Sequence, residues 1–416
     1  MIFLYNIGLL LYWLGVHVGA LFYPKARRLV RGQRWALRRL KRAMANRGQR
    51  RVVWVHCASL GEFEQGRPLI DKLRSRHPDI FILLTFFSPS GYEVRKGYPA
   101  ADYVCHLPFD FWWVAYRFVR IAAPDVAVFV KYEFWYHYLK ALKRQGAKAY
   151  VISAIFREQQ AFFDRLYGKF FVQILGFCEH IFVQDGQSLD LLDSVGVHNA
   201  SYAGDTRFDR VLEVAASASA LPQLAQLTSP AYLTLVAGST WPPDEELLAG
   251  LVNKTPNMKL IVAPHEVSEG NVRSLLSLFE KPAIRYSQWR ENMDSVNLEE
   301  YSIFIVDAVG FFASLYRFGD IAYVGGGFGV GIHNILEAAA FGIPVIFGAN
   351  YKKFREATDL VALGGAFPIS SAMELLTVVG TLSIHRQRYE ECCSVCRTYV
   401  QQRKGATEVI LSSIIQ

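Results

Sequence analysis

The 416 residues allow about two domains of ordinary size, each able to bury a full core, and they carry a formal net charge of +8. Twelve of the 45 Lys and Arg lie between Lys25 and Arg51, and no Asp or Glu precedes Glu62, which leaves 33 cations and 37 anions over residues 62–416. The basicity is a local collar, so a nucleic-acid surface spread over the fold is excluded.

Met1 to Tyr23 contains no formal charge and is rich in Leu, Ile, Phe, Val, Tyr and Trp. As a helix it is long enough to cross a hydrocarbon layer of roughly 30 Å. It lacks the basic start and small-residue cleavage site of a signal peptide. The following collar is expected to stay cytoplasmic and to attract anionic lipid. Asn6 and His17 keep a helix lying in the interface open as the alternative to one that spans. The apolar segment is expected to lie outside both sheets, so that its removal releases the protein from membranes without unfolding it.

From Val52 onward short apolar runs alternate with amphipathic stretches, the pattern of a parallel sheet covered on both faces. Strands are expected at Val52–His56, Ile80–Phe86, Tyr103–Leu107, Val126–Val130, Ala149–Ser153 and His180–Gln184. A polar, proline-flanked stretch from Pro222 to Pro230 reads as a linker. The alternation restarts at Tyr232–Ala237, Lys259–Ala263, Ala283–Tyr286, Ile303–Val306, Ile321–Val324 and Val345–Phe347. Cys57, Cys105 and Cys178 read as core thiols in a reducing compartment, and Cys392, Cys393 and Cys396 lack the second ligand pair of a zinc site.

Two corners carry the chemistry. After the first strand, Ser59-Leu60-Gly61-Glu62 has capping-box spacing, with Ser59 as N-cap and Glu62 three residues on. Glu62 thus stands at a strand-to-helix corner, where parallel folds bind ligands, although it could serve only as the cap. Ser88-Pro89-Ser90-Gly91 and Tyr132-Glu133-Phe134-Trp135 follow two further strands; the first could be a turn, and Glu133 could cap the next helix. In the second half, Gly325 to Glu337 leaves a strand through five glycines, including Gly326, Gly327, Gly329 and Gly331, and enters a helix. Such amides and a helix start suit a phosphate, while Asn334 and Glu337 share a face suited to sugar hydroxyls. Ser239-Thr240 and His265 end two neighbouring strands. Arg207, in Gly204-Asp205-Thr206-Arg207-Phe208-Asp209, could meet an anion or form a surface ion pair.

In this order the segments resemble the 3-deoxy-D-manno-octulosonic acid (Kdo) transferases of Gram-negative bacteria, over essentially the whole chain. The resemblance implies two Rossmann-like, doubly wound α/β domains (GT-B) with an interdomain cleft, preceded by the apolar membrane helix. The expected division is a membrane anchor over 1–24, a basic juxtamembrane segment over 25–51, an acceptor-binding domain over 52–221, a linker over 222–230 and a nucleotide-sugar-binding domain over 231–385. Helices over 386–416 follow, free to pack back on the first domain. The activity implied is inverting transfer of Kdo from CMP-Kdo to the phosphorylated tetraacyl lipid A precursor at the cytoplasmic face of the inner membrane. Glu62 would be the base, Ser59, Gly61, Ser88, Ser90 and Glu133 would meet the acceptor, and Arg207, Ser239, Thr240, His265, the four glycines, Asn334 and Glu337 would hold the donor. No Asp-x-Asp pair stands near the donor segment, so no metal or other cofactor is expected. Ala263-Pro264-His265 departs from the family's Pro-Arg-His, and Pro264 replaces an expected donor-binding Arg. A GT-B enzyme using a UDP-sugar, such as a lipid A disaccharide synthase or an epimerase, and a non-catalytic membrane-bound sugar-nucleotide binder are the alternatives.

Overall fold

Val52–Cys57 is closed to solvent along its whole length, which a strand achieves only inside a sheet covered on both faces. The computed structural model describes residues 1–416 except 218–221, 229–230, 294, 309 and 416. They form two compact units, Met1–Arg210 with Lys404–Gln416, and Val211–Arg403. Each is built on one parallel seven-stranded sheet.

In the first unit the strands are β1 (Val52–Cys57), β2 (Phe81–Phe86), β3 (Tyr103–His106), β4 (Val126–Val130), β5 (Lys148–Ala154), β6 (His180–Val183) and β7 (Ala200–Tyr202). Their order is β3-β2-β1-β4-β5-β6-β7, so the winding reverses between β1 and β4, where Val53 pairs with both Ile82 and Val126. In the second unit β8 (Leu233–Thr240), β9 (Met258–Pro264), β10 (Ala283–Arg285), β11 (Ile303–Ile305), β12 (Ile321–Val324), β13 (Val345–Gly348) and β14 (Ala366–Ile369) lie in the order β10-β11-β9-β8-β12-β13-β14. There the reversal falls between β8 and β12. All twelve expected strands are present, with ends moved by up to three residues. The two the sequence reading missed, β7 and β14, are edge strands. One is a three-residue, partly exposed Ala-Ser-Tyr, and the other contains Pro368, so neither shows an apolar run.

The helices of the first unit that matter for the site are α1 (Ile2–Phe22), α2 (Pro24–Gln33), α3 (Ala36–Met44), α4 (Leu60–Arg76), α5 (Pro89–Arg95), α6 (Trp112–Ala122) and α7 (Tyr136–Gln145). By length and composition α1 could cross a membrane, and Phe3, Leu4, Leu11, Leu21 and Phe22 are exposed on it. It is not detached, however. The Tyr5 hydroxyl donates to Asp110 Oδ2 at 2.6 Å, His137 Nε2 donates to Asn6 Oδ1 at 2.8 Å, and the Tyr12 ring lies edge-on to Phe109 at 5.6 Å. Asp110 is fully buried and also accepts the backbone N–H groups of His137 (2.9 Å) and Tyr138 (2.8 Å) in the first turn of α7. Burial pushes its carboxyl up to about 7, against the pull of these three donors.

The proline-flanked stretch read as a linker contains a 3-10 helix, Pro222–Leu227; residues 229–230 and the expected domain end at 221 lie outside the described residues. The helix Arg386–Gln401 stays with the second unit, and the chain returns to the first only from Lys404. Buried Asp209 holds that return by accepting from Gly405 N (2.6 Å), Thr407 N (2.7 Å) and Thr407 Oγ1 (2.6 Å). Lys72 and Arg76 of α4 pair with Glu408 at 2.7 Å.

Because α1 is docked through a buried carboxylate, it contributes to stability. Tyr5→Phe should cost about 1.5–3 kcal/mol, the usual worth of a hydrogen bond to a charged group. Asp110→Ala should cost more, since it strands two helix-end amides. Deleting residues 1–24 should lower the melting temperature at least as much as Tyr5→Phe. Thermal unfolding in neutral detergent checks all three.

Candidate functional site

At the end of β1 the extended backbone of Ser59 starts α4, and the expected capping box is formed. Gly61 N donates to Ser59 Oγ at 3.2 Å, and Ser59 N donates to Glu62 Oε2 at 3.0 Å. The Ser59 hydroxyl bonds the same carboxylate oxygen. Both contacts use Oε2; among the described residues Oε1 accepts no hydrogen bond, and no Lys or Arg pairs with Glu62. Capping therefore orients this carboxylate and leaves one oxygen available.

The neighbouring corner after β2 is tied to this one, because Ser88 N donates to Ala58 O at 2.7 Å. Gly91 makes the approach possible: a Cβ there would stand 2.3 Å from the Phe86 ring and 3.1 Å from the Ser59 carbonyl carbon. Ser88 and Ser90 lie with hydroxyls 2.9 Å apart. On the other side of β1, Glu133 follows β4, after Lys131 in a left-handed conformation (φ 68°). Such a φ on a non-glycine residue is held against strain by its surroundings. Glu133 Oε2 accepts from Trp135 Nε1 at 2.6 Å and lies 3.3 Å from His56 Nε2.

His56 is fully buried. Thr85 Oγ1 accepts from Trp54 Nε1 at 2.8 Å and lies 2.9 Å from His56 Nδ1, which is also 3.2 Å from Thr85 O. A carboxylate can only accept, so Nε2 donates to Glu133. The sequence reading assigned no role to His56, Thr85 or Trp135. Their polar atoms meet only because β1, β2 and β4 are adjacent. Burial, then the nearby Glu62 and Glu133, push the Cys57 thiol far above its usual range, which leaves it inert.

Arg207 belongs to the first unit, and its guanidinium grips Asp205 Oδ2 through Nε (2.8 Å) and Nη2 (2.7 Å). The expected ion pair is present.

In the second unit the ends of β8, β9 and β12 meet at the reversal point. Gly325 N donates to Gly238 O at 2.9 Å, and a Cβ on Gly325 would stand 2.3 Å from Ser239 O, so the loop must begin with glycine. Ser239 itself is left-handed (φ 53°). Gly327 meets Gly348 equally closely. The loop folds on itself: Gly329 N and Gly331 N both donate to Gly326 O, and Gly326 N donates to Asp244 Oδ2 at 2.9 Å. Three of the four glycine amides expected to cradle a phosphate are thus engaged within the protein. The helix beyond is a single turn, Leu336–Ala339, with Asn334 Nδ2 3.3 Å from Glu337 Oε1.

Buried Asp244, which the sequence reading passed over, organises this corner. Besides Gly326 N it accepts Trp241 N (2.9 Å) and the Tyr323 hydroxyl (2.7 Å). Above it the Trp241, His265 and His333 rings cluster, with the His265 centroid 4.6 Å from each of the others and Trp241 Nε1 donating to His333 Nε2 at 3.4 Å. Burial, with a smaller push from His265, lowers the pKa of His333, which favours neutral imidazole. Thr240 Oγ1 donates to Glu245 Oε1 at 2.9 Å, and Thr240 O accepts from His265 N, joining β8 to β9. Ser239, Thr240, His265 and the glycine loop thus share one strand-end corner. Among the described residues no cluster of His, Cys, Asp or Glu is arranged to hold a metal.

Residues 33–210 match the family model described as 3-Deoxy-D-manno-octulosonic-acid transferase (kdotransferase). A 3-deoxy-D-manno-octulosonic acid transferase of Chlamydia muridarum is 30% identical over 315 residues, 73% of this chain and 71% of the relative. One from Haemophilus influenzae is 24% identical over 374 residues, 86% and 85% of the two chains. In fold the chain is similar to a UDP-GlcNAc 2-epimerase from Neisseria meningitidis, with a TM-score of 0.59 at 14% identity, over 88% of this chain and 99% of the other. That likeness supports two Rossmann-like domains of the GT-B kind. On its sequence relatives, the chain belongs to the 3-deoxy-D-manno-octulosonic acid transferase family and is a glycosyltransferase.

Proposed function

We propose that the chain transfers Kdo from CMP-Kdo to the phosphorylated tetraacyl lipid A precursor, with inversion, and that Glu62 is the general base. Membership of the family supports Kdo transfer in lipopolysaccharide biosynthesis. The observation that carries the base assignment is the unshared Oε1 of Glu62, on a carboxylate whose other oxygen is fixed by Ser59. A hydroxyl nucleophile gains about 10²–10⁴-fold in rate when a positioned group takes its proton. The acceptor hydroxyl would give its proton to Oε1 as its oxygen attacks the anomeric carbon, and CMP would leave from the opposite face. Ser59, Gly61, Ser88, Ser90 and Glu133 would line the acceptor side, with Glu133 kept in place by His56 and Trp135.

The donor would be held by the second unit. Exposed His265, packed against the Trp241 and His333 rings, would meet the nucleotide, and Ser239 and Asn334 offer hydroxyl and amide groups. With Gly326, Gly329 and Gly331 turned inward, the donor phosphate would meet the remaining loop amides. The apolar α1 and the basic collar support attachment to the cytoplasmic face of the inner membrane, where a phosphorylated lipid acceptor would be found.

Glu62→Gln preserves size and a carbonyl but cannot take a proton. Turnover should fall by about 10² or more, with donor KM and melting temperature little changed. Glu337→Gln should instead raise donor KM with a smaller loss of turnover. An active but destabilised Glu62→Gln protein would reduce Glu62 to a cap. CMP should compete with the donor where UDP does not, and product mass should rise by whole Kdo residues.

Transfer should persist after treatment with a strong chelator, since loop amides and neutral side chains would face the phosphate. Loss of activity restored by added magnesium or manganese would contradict this.

A further inference from the structure

Beside the first sheet, α1, the α2–α3 turn and α6 line an open cleft of about 760 Å³. None of Ser59, Glu62, Ser88, Ser90 or Glu133 lines it, so it is separate from the corner at β1. Its floor is apolar, with Trp13, Phe109, Phe111, Val114 and Ile121. Its rim is cationic: Arg34, Arg38, Lys41 and Arg117 line it, and no Asp or Glu does. All four cations are exposed.

The wall carrying three of these cations is built rather than loose. A Cβ on Gly32 would fall 2.3 Å from the His106 ring, so glycine there lets α2 close on the end of β3. Gln33 Nε2 donates to Leu107 O at 3.1 Å, fixing the same contact. The turn itself holds Trp35 in a left-handed conformation (φ 67°), a genuine outlier for a bulky side chain and of the kind that clusters at binding sites. Arg38 lies over the Trp35 ring at 4.2 Å and Arg34 at 5.6 Å, which groups the cations at the mouth. Trp35 lines the cleft, Trp113 stacks on Phe111 of the floor at 5.0 Å with Trp112 edge-on to it, and all three are more than half exposed. Tryptophans at such positions mark the level of lipid headgroups.

We propose that this cleft binds one anionic phospholipid of the bilayer, an acyl chain lying on the Trp13–Val114 floor and the phosphate meeting Arg34, Arg38, Lys41 and Arg117. A zwitterionic lipid supplies the same chain without net charge and is bound more weakly. The volume suits one chain and a headgroup, within the roughly 300–1,000 Å³ of ordinary ligand sites, and not a tetraacylated acceptor. The inference takes from the function proposed above only the source of the lipid.

The test is native mass spectrometry of the full-length protein in neutral detergent, with phosphatidylglycerol or phosphatidylcholine and with neither donor nor acceptor present. One retained phosphatidylglycerol per chain is expected, and little phosphatidylcholine. Arg38→Glu with Arg117→Glu should lower retention by about tenfold or more, as cation loss at a lipid surface does. Val114→Trp, which fills the floor and keeps the rim, should lower it as well and covers the case of a charge-reversed protein that folds poorly. Equal retention of the two lipids, or retention unchanged in both variants, would overturn the proposal. So would displacement of the phospholipid by the phosphorylated acceptor, which would make the cleft an acceptor site. Because retention is read without turnover, a failure of Kdo transfer leaves this result standing.

Discussion

A parallel sheet ends all its strands at one edge, and the two candidate corners of this chain follow from that constraint. Burying both faces of β1 and β4 forces the connections between them out over helices. At the point where the winding reverses, two strand ends stand side by side with nothing crossing between them. Glu62 and Glu133 occupy that place in the first unit, and Ser239 and the glycine loop occupy it in the second. The same topology joins β1 to β2 through Ser88 and Ala58, so residues about thirty positions apart act as one corner.

What the sheets do not fix, buried aspartates do. Asp110 gathers Tyr5 of α1 and two amides of α7; Asp209 gathers the returning residues 405–407; Asp244 gathers Trp241, Tyr323 and Gly326. Each is nearly or fully closed to solvent, and each takes three donors. A buried carboxylate is tolerable only when its lone pairs are met, so each contact is specified by the cost of losing the others. The apolar helix, the last turns of the chain and the glycine loop are thereby given single positions.

The capping box at Glu62 leaves one carboxylate oxygen unshared, so capping does not compete with the base role proposed for it. Ser59 holds one carboxylate oxygen and so aims the other, as a designed site would use a support shell to orient a reactive group. His56 Nε2 likewise donates to Glu133, from a buried ring held beside Thr85.

Much of this could be read from the sequence, because the signals are local. Apolar runs of strand length, Ser59 and Glu62 at capping spacing, and the glycines of 325–331 depend on neighbours within a few residues, and they located both sheets and both corners. The basic collar and the uncharged amino terminus were equally plain from composition. Tertiary structure alone decided the rest. That the loop amides turn inward to Gly326 and Asp244, and that α1 docks on Asp110, are matters of which polar groups meet around a folded loop or across 82 and 105 residues. Periodicity is blind to such pairings, since it records which face of an element is apolar and not which buried donor finds which acceptor.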